Sequence, residues 1–212
     1  ATKGETISAF GQAIWKIVPE VELTAGARYT HETKKSTYFQ PYVNPALVGL
    51  FTPQTNNPAT TLNRSQTFNN WSPEATITWR PSKNMTVYAA YKTGYKSGGF
   101  SNSGIFSPAD PNGDGMVFEP EKAKGFEGGI KTTTLDRQLR FNIGVYRYTY
   151  SGLQVDYFDP LSIRYITRNA GSSKTRGIET ELEFVPRSID GLTIRSTLNY
   201  NRSRYSNFLA PC

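Results

Sequence analysis

Residues 110–121 read DPNGDGMVFEPE, and here residue types and spacing suggest chemistry. The stretch matches D-x-[DN]-x-[DN]-G-x5-E, with oxygen donors at Asp110, Asn112 and Asp114, Gly115 at the sharp turn and Glu121 at the closing bidentate position. Calcium held in an exposed loop is the chemistry such a pattern can perform. The same letters also make an ordinary turn, because Asp, Asn, Pro and Gly are the residues that turns favour. No helical pattern flanks the segment, and Glu121 closes an FEPE run that leads into the next alternating stretch. The turn reading is therefore preferred, with calcium left as the alternative.

Glu179, Glu181 and Glu183 fall on one face of an extended segment, about 6.5 to 7 Å apart. That separation overlaps the carboxylate pair of an inverting glycosidase. The plainer reading is a solvated acidic ladder facing bases such as Arg195. His31 is the one histidine, so a nucleophilic triad or a histidine metal site would have to use it without a second His beside it. A rim histidine is expected instead. KTGYKSGGF, residues 92–100, has Gly and Lys but not the phosphate-loop order. Arg28, Lys92, Lys96, Arg168 and Tyr95 are candidates to meet an anionic chelate or lipid phosphates, with solvated strand ends as the alternative. No catalytic, cofactor or metal residue is assigned, and neither enzyme activity nor a cofactor is expected.

These residues need elements to position them, and the dominant pattern has period two. In residues 74–80, Ala75, Ile77 and Trp79 alternate with Glu74, Thr76, Thr78 and Arg80; after the turn at 81–84, Met85, Val87, Ala89, Tyr91 and Tyr95 alternate with Thr86, Tyr88, Lys92 and Gly94. The unit recurs at 5–32 around a turn at 18–20, at 124–155 around 135–138, and at 174–205 around 186–191. Eight strands in four hairpins are predicted. Short turns interleave with long polar loops at about 38–65, 96–122, 156–168 and from 206 onward.

One face carries Arg28, Lys92, Glu127, Lys131, Arg140, Glu179, Glu181, Glu183 and Arg195, and the other is read as almost free of charge within the strands. Trp15 and Trp79 lie near short turns, and Tyr29, Tyr91, Tyr95, Tyr200 and Tyr205 near long loops, as two bilayer interfaces would select. A soluble sandwich or lipocalin-like barrel is the alternative, with its apolar face as core.

The totals fit one large domain of 212 residues, 37% hydrophobic and 19% charged. Cys212 is the single cysteine, which excludes internal disulfides and cysteine clusters. No run of about 18 apolar residues exists, which excludes a membrane helix but not a barrel. The opening ATKGETISAF lacks a signal-peptide profile, so the protein is cytosolic or its beginning lies elsewhere. The formal charge of +7 is scattered along the sequence, and no nucleic acid is expected as partner.

Residues 71–100, 118–155 and 167–200, with WSPEATITWRPSKNMTVYAAYKTGYKSGGF, FEPEKAKGFEGGIKTTTLDRQLRFNIGVYRYTYSGLQV and TRNAGSSKTRGIETELEFVPRSIDGLTIRSTLNY in that order, resemble the barrel of TonB-dependent outer-membrane receptors. The resemblance implies a barrel of about 22 strands plugged by an N-terminal domain, importing iron chelates or other scarce solutes with energy relayed from the inner membrane. It implies residues 1–212 as a partial barrel domain, all-β and antiparallel, in the outer membrane of a Gram-negative bacterium. The implied partners are outer-membrane lipid and lipopolysaccharide, the TonB complex through the plug domain, and an iron–siderophore complex or other small solute. The chain departs from the family in having no plug, no TonB-contacting box and no terminal aromatic strand, so it is expected to be an internal section with two open sheet edges. The function expected is active transport, with a small outer-membrane porin or outer-membrane enzyme as the alternative.

Overall fold

The computed structural model describes residues 2–38, 46, 62–101, 114–159 and 164–207. In chain order the strands are β1 (Thr2–Val18), β2 (Val21–Tyr38), β3 (Leu62–Ser82), β4 (Met85–Lys96), β5 (Gly99–Phe100), β6 (Val117–Phe118), β7 (Glu121–Thr134), β8 (Leu139–Ser151), β9 (Gln154–Asp159), β10 (Arg164–Asn169), β11 (Ser172–Phe184) and β12 (Ile194–Ser206). Eight of them form one antiparallel sheet in the order β1-β2-β3-β4-β7-β8-β11-β12, which is the predicted set of four hairpins laid side by side. The short pairs β5/β6 and β9/β10 sit within the long connections.

Period two survives across the whole sheet because residues paired in register share a face. One row runs Trp15, Leu23, Ile77, Ala89, Gly128, Val145, Ile178, Tyr200. We call this the apolar face and its reverse the polar face. Turn chemistry fixes the register. Between β7 and β8, Leu135, Asp136 and Arg137 all take positive φ (53°, 51° and 69°), and the Gln138 amide closes the turn onto the Leu135 carbonyl at 3.0 Å. Where β8 and β11 pass into β9 and β10, the hairpin bends at Gly152 and Gly171, with φ of 65° and 59°; such backbone favours glycine.

Large side chains on the apolar face remain uncovered, among them Trp71 and Phe126 at 67% exposure. Buried side chains lie elsewhere: Tyr38 and Phe100 pack with Met116, joined by Leu62 and Val117, under the connection between β4 and β7. The strand wall therefore has no core of its own on its apolar side, and needs an apolar medium there.

Two expectations are corrected. The loop placed at 38–65 is shorter, because β2 runs to Tyr38 and β3 begins at Leu62. Tyr205 pairs with Ser173 on the polar face, and so lies outside the aromatic row of the apolar face. Tyr95 keeps the face of Tyr91, paired with Lys122 on β7, although β4 pairs with β3 only from Met85 to Tyr91, and its hydroxyl is enclosed.

Candidate functional site: the polar face and its loop cap

On the polar face, acids and bases from neighbouring strands interlock. Lys92 Nζ lies 2.6 Å from Glu127 Oε1, and the Tyr148 hydroxyl donates to Glu127 Oε2 at 2.7 Å. Glu183 is held from both sides, by Arg195 at 3.0 Å and Arg140 at 3.3 Å. Asn142 donates to Glu181 at 3.1 Å, and Asn199 to Glu179 at 3.0 Å. The three β11 carboxylates are each satisfied by a directly opposed cross-strand donor, and Glu127 by diagonal ones. The acidic ladder on β11 is thus a structural feature with Arg195 as partner, as the sequence suggested.

Above this ladder the long connections fold over the polar face and lock together. Lys34, near the top of β2, donates to Ser97 Oγ at 2.6 Å and to the Gly98 carbonyl at 2.8 Å. Asn169 receives the Glu119 amide at 2.6 Å and donates to the carbonyls of Glu119 and Gly152 at 2.8 and 2.7 Å. Gln154 donates to the Ser97 and Glu119 carbonyls at 2.9 and 3.1 Å. The β4–β7 and β8–β11 connections are thereby joined through backbone groups that would otherwise lack partners. This cap carries basic and aromatic groups: Arg168 lies 5.9 Å from the Tyr157 ring centroid, and Phe158 meets Tyr165 edge-on at 5.4 Å.

The candidate residues fall in different places. Asp110, Asn112 and Cys212 lie outside the described residues. Asp114 opens the single-turn 3-10 helix Asp114–Met116 and is ion-paired to Arg64. Glu121 heads β7 and accepts the Gln154 amide at 3.2 Å. The two ends of the calcium-like pattern therefore serve separate contacts, and no group of three His, Cys, Asp or Glu able to hold a metal occurs among the described residues. His31 Nδ1 lies 2.8 Å from Asn69 Oδ1, which also accepts the Tyr29 hydroxyl at 2.9 Å, at the rim of the apolar face. Arg28 bonds Ser8 at 3.3 Å and stacks over Phe10 at 5.7 Å on the polar face. Lys92 and Lys96 share that face, and Arg168 belongs to the cap.

Asn169, Gln154 and Tyr148 were missed as positioning residues, because a side chain bonding a distant strand or loop leaves no local period. A second omission concerns charge. The apolar face carries Lys122, Lys124, Arg147, Lys174, Arg176, Arg202 and Arg204 at its upper ends, so charge that is scattered in sequence is gathered by register. Continuing the odd–even count up each strand would have found it.

An antiparallel wall with an apolar outer face, a polar inner face, short turns at one end and long loops at the other is the wall of a transmembrane β-barrel. The family model described as TonB dependent receptor-like, beta-barrel matches residues 1–210, and the chain belongs to that family of outer-membrane β-barrel proteins. It is 28% identical over 109 residues to a probable TonB-dependent siderophore receptor, PiuA, of Acinetobacter baumannii, covering 51% of this chain and 14% of that one. The ferric yersiniabactin uptake receptor FyuA of Yersinia pestis superposes with a TM-score of 0.72 at 17% identity, over 97% of this chain and 28% of that one. The copper transporter OprC does so with a TM-score of 0.69 at 15% identity, over 97% and 30%. The chain therefore spans less than a third of the length of these relatives.

Proposed function

We propose that this chain is a section of the barrel wall of an outer-membrane active transporter. Its solute is a scarce one, an iron–siderophore complex first among them, with energy delivered by TonB through a plug domain of the whole receptor. The observation that carries this reading is the loop cap over the polar face. Two long connections are pinned to each other and to Lys34, so that basic and aromatic groups such as Lys96, Arg168, Tyr157 and Phe158 stand above an interior lined by satisfied ion pairs. An anionic, ring-bearing chelate suits such groups, through charge, cation–π and stacking contacts. The name of the Acinetobacter baumannii relative supports iron chelates as the solute class.

The wall catalyses no reaction in this reading: the β11 carboxylates that might have formed an acid–base pair are each engaged by a guanidinium or an amide. Its apolar face meets outer-membrane lipid. The test is uptake of radioiron-loaded siderophores by cells with and without the whole receptor, with TonB present or removed. Receptor-dependent uptake that disappears without TonB is expected. Equal uptake in all strains across a panel of chelates would end the reading.

A further inference from the structure

We propose that the β4–β7 connection, over residues 97–101 and 114–118, is a fixed strap: it stays clamped between the β2–β3 hairpin and the β9–β10 hairpin while solute passes, and the movements of uptake take place elsewhere in the receptor. This rests on the transport reading above. The two stretches of the strap are joined to each other. Gly99 pairs with Phe118 and Phe100 with Val117, and the Ser101 amide donates to the Met116 carbonyl at 2.6 Å. Tied through their backbones, they can leave only as one piece. Both flanks hold that piece. Toward the β2–β3 hairpin, Lys34 donates to Ser97 and to Gly98, Arg64 is ion-paired to Asp114, and Tyr38 meets the Phe100 ring edge-on at 6.4 Å, with Met116 completing their cluster. On the other flank, β10 lies against β6 and the 114–116 turn and buries Ile166, and the Thr167 amide donates to Ser101 Oγ at 3.3 Å.

Burial decides between a fixed part and a moving one. Elements that move are drawn from those with few buried apolar contacts and solvent-exposed backbone hydrogen bonds. The strap has the opposite character. Of the six buried hydrophobic residues among those described, Tyr38, Phe68, Phe100, Met116 and Ile166 lie in it or against it, whereas the sheet below contributes only Ala90. Lifting the strap would expose these side chains together and strip Lys34 of both acceptors, so the opening is a single costly event rather than a series of small ones. Gly98 serves close packing here: a Cβ at that position would run into the Phe118 carbonyl oxygen and lie 2.9 Å from the Phe68 ring. Neither Gly98 nor Gly99 takes the left-handed backbone seen at Gly152 and Gly171, which lie outside the strap at the foot of the β9–β10 hairpin. The strap therefore has no bend of that kind on which to swing.

The test ties the strap to β3 covalently in the whole receptor. The pair Arg64→Cys and Asp114→Cys is placed in a Cys212→Ser background and linked by a short bismaleimide, and uptake of radioiron-loaded siderophores is compared before and after linking. The expected result is full linking, at the same rate with and without the chelate, and no loss of uptake. Uptake present before linking and lost after it overturns the inference and leaves the transport reading in place. Uptake absent from the unsubstituted receptor as well sinks the transport reading instead. A pair that cannot be linked also overturns the inference, since the strap would then not lie against β3. Hydrogen exchange in the unsubstituted receptor reads the strap independently of transport and of the substitutions. The Ser101 amide should be protected about 100-fold or more over an unfolded chain, and free exchange there overturns the inference whatever the uptake assay gives.

Discussion

Lys92 and Glu127 reach each other diagonally across β4 and β7, each standing opposite a small residue, Gly125 and Ala90 respectively. Their 2.6 Å contact and the Tyr148 hydroxyl on the other carboxylate oxygen join three strands at one point. The side chains are 44% and 25% exposed, so water screens the pair and its coupling is expected at about 0.5–1 kcal/mol. A double-mutant cycle of Lys92→Ala and Glu127→Ala on the denaturant stability of the whole receptor checks this. Strictly additive losses would mean that the contact contributes nothing.

Close packing of tyrosine over glycine on the polar face gives a second expectation. A methyl group at Gly177 would come within 2.5 Å of the Tyr146 hydroxyl oxygen and 2.6 Å of the Tyr200 carbonyl. The hydroxyl can swing aside, whereas the backbone cannot. Gly177→Ala should cost about 1–3 kcal/mol. Gly11→Ala, which meets nothing within 4 Å, should change stability by no more than about 0.5 kcal/mol. Comparing unfolding midpoints of the two variants separates steric crowding from a general intolerance of substitution.

The cap depends on Asn169, which holds both backbone groups of Glu119. Asn169→Ala leaves the Glu119 amide without its protein partner, while the Glu119 carbonyl keeps Gln154, at about 1–3 kcal/mol. Amide exchange at Glu119 should then accelerate about tenfold or more, while amides in the middle of β7 and β8 keep their protection. Unchanged exchange at Glu119 would show that the two connections are held by other contacts.

Face assignment makes a prediction at adjacent positions. Ile143 shares the apolar face with Ile130 and Thr180, whereas Asn142 points to the polar face beside Glu181. Ile143→Arg should destabilise the receptor by about 2–4 kcal/mol, and Asn142→Arg should be tolerated. The folded fraction recovered from membranes reports the difference.

The eight strands were legible in the sequence because their lower halves alternate without interruption, as in Leu139, Phe141, Ile143 and Val145 against Arg140, Asn142 and Gly144. The upper halves of β2 and β3 were not. Thr33, Lys34, Lys35 and Ser36, facing Thr67, Gln66, Ser65 and Arg64, are polar on both sides, so period two vanishes although the ladder continues. The acidic ladder and its partner Arg195 could be read from one strand and its neighbour. Asn169 could not, since its partners at Glu119 and Gly152 depend on how two loops meet. Arg147, Arg176 and Arg202 are far apart in sequence and become a group only through register, which a single sequence does not print.

The central claim is that one face of this wall meets lipid and the other the water-filled interior of a transporter. Single cysteines at Ile143 and Asn142 in the whole receptor, each carrying a fluorophore in native outer membranes, test it directly. An acyl-chain quencher should quench the label at 143 and leave 142 bright, and a water-soluble quencher should do the reverse. Quenching of both labels by the aqueous reagent alone would mean a soluble sheet and contradict the account.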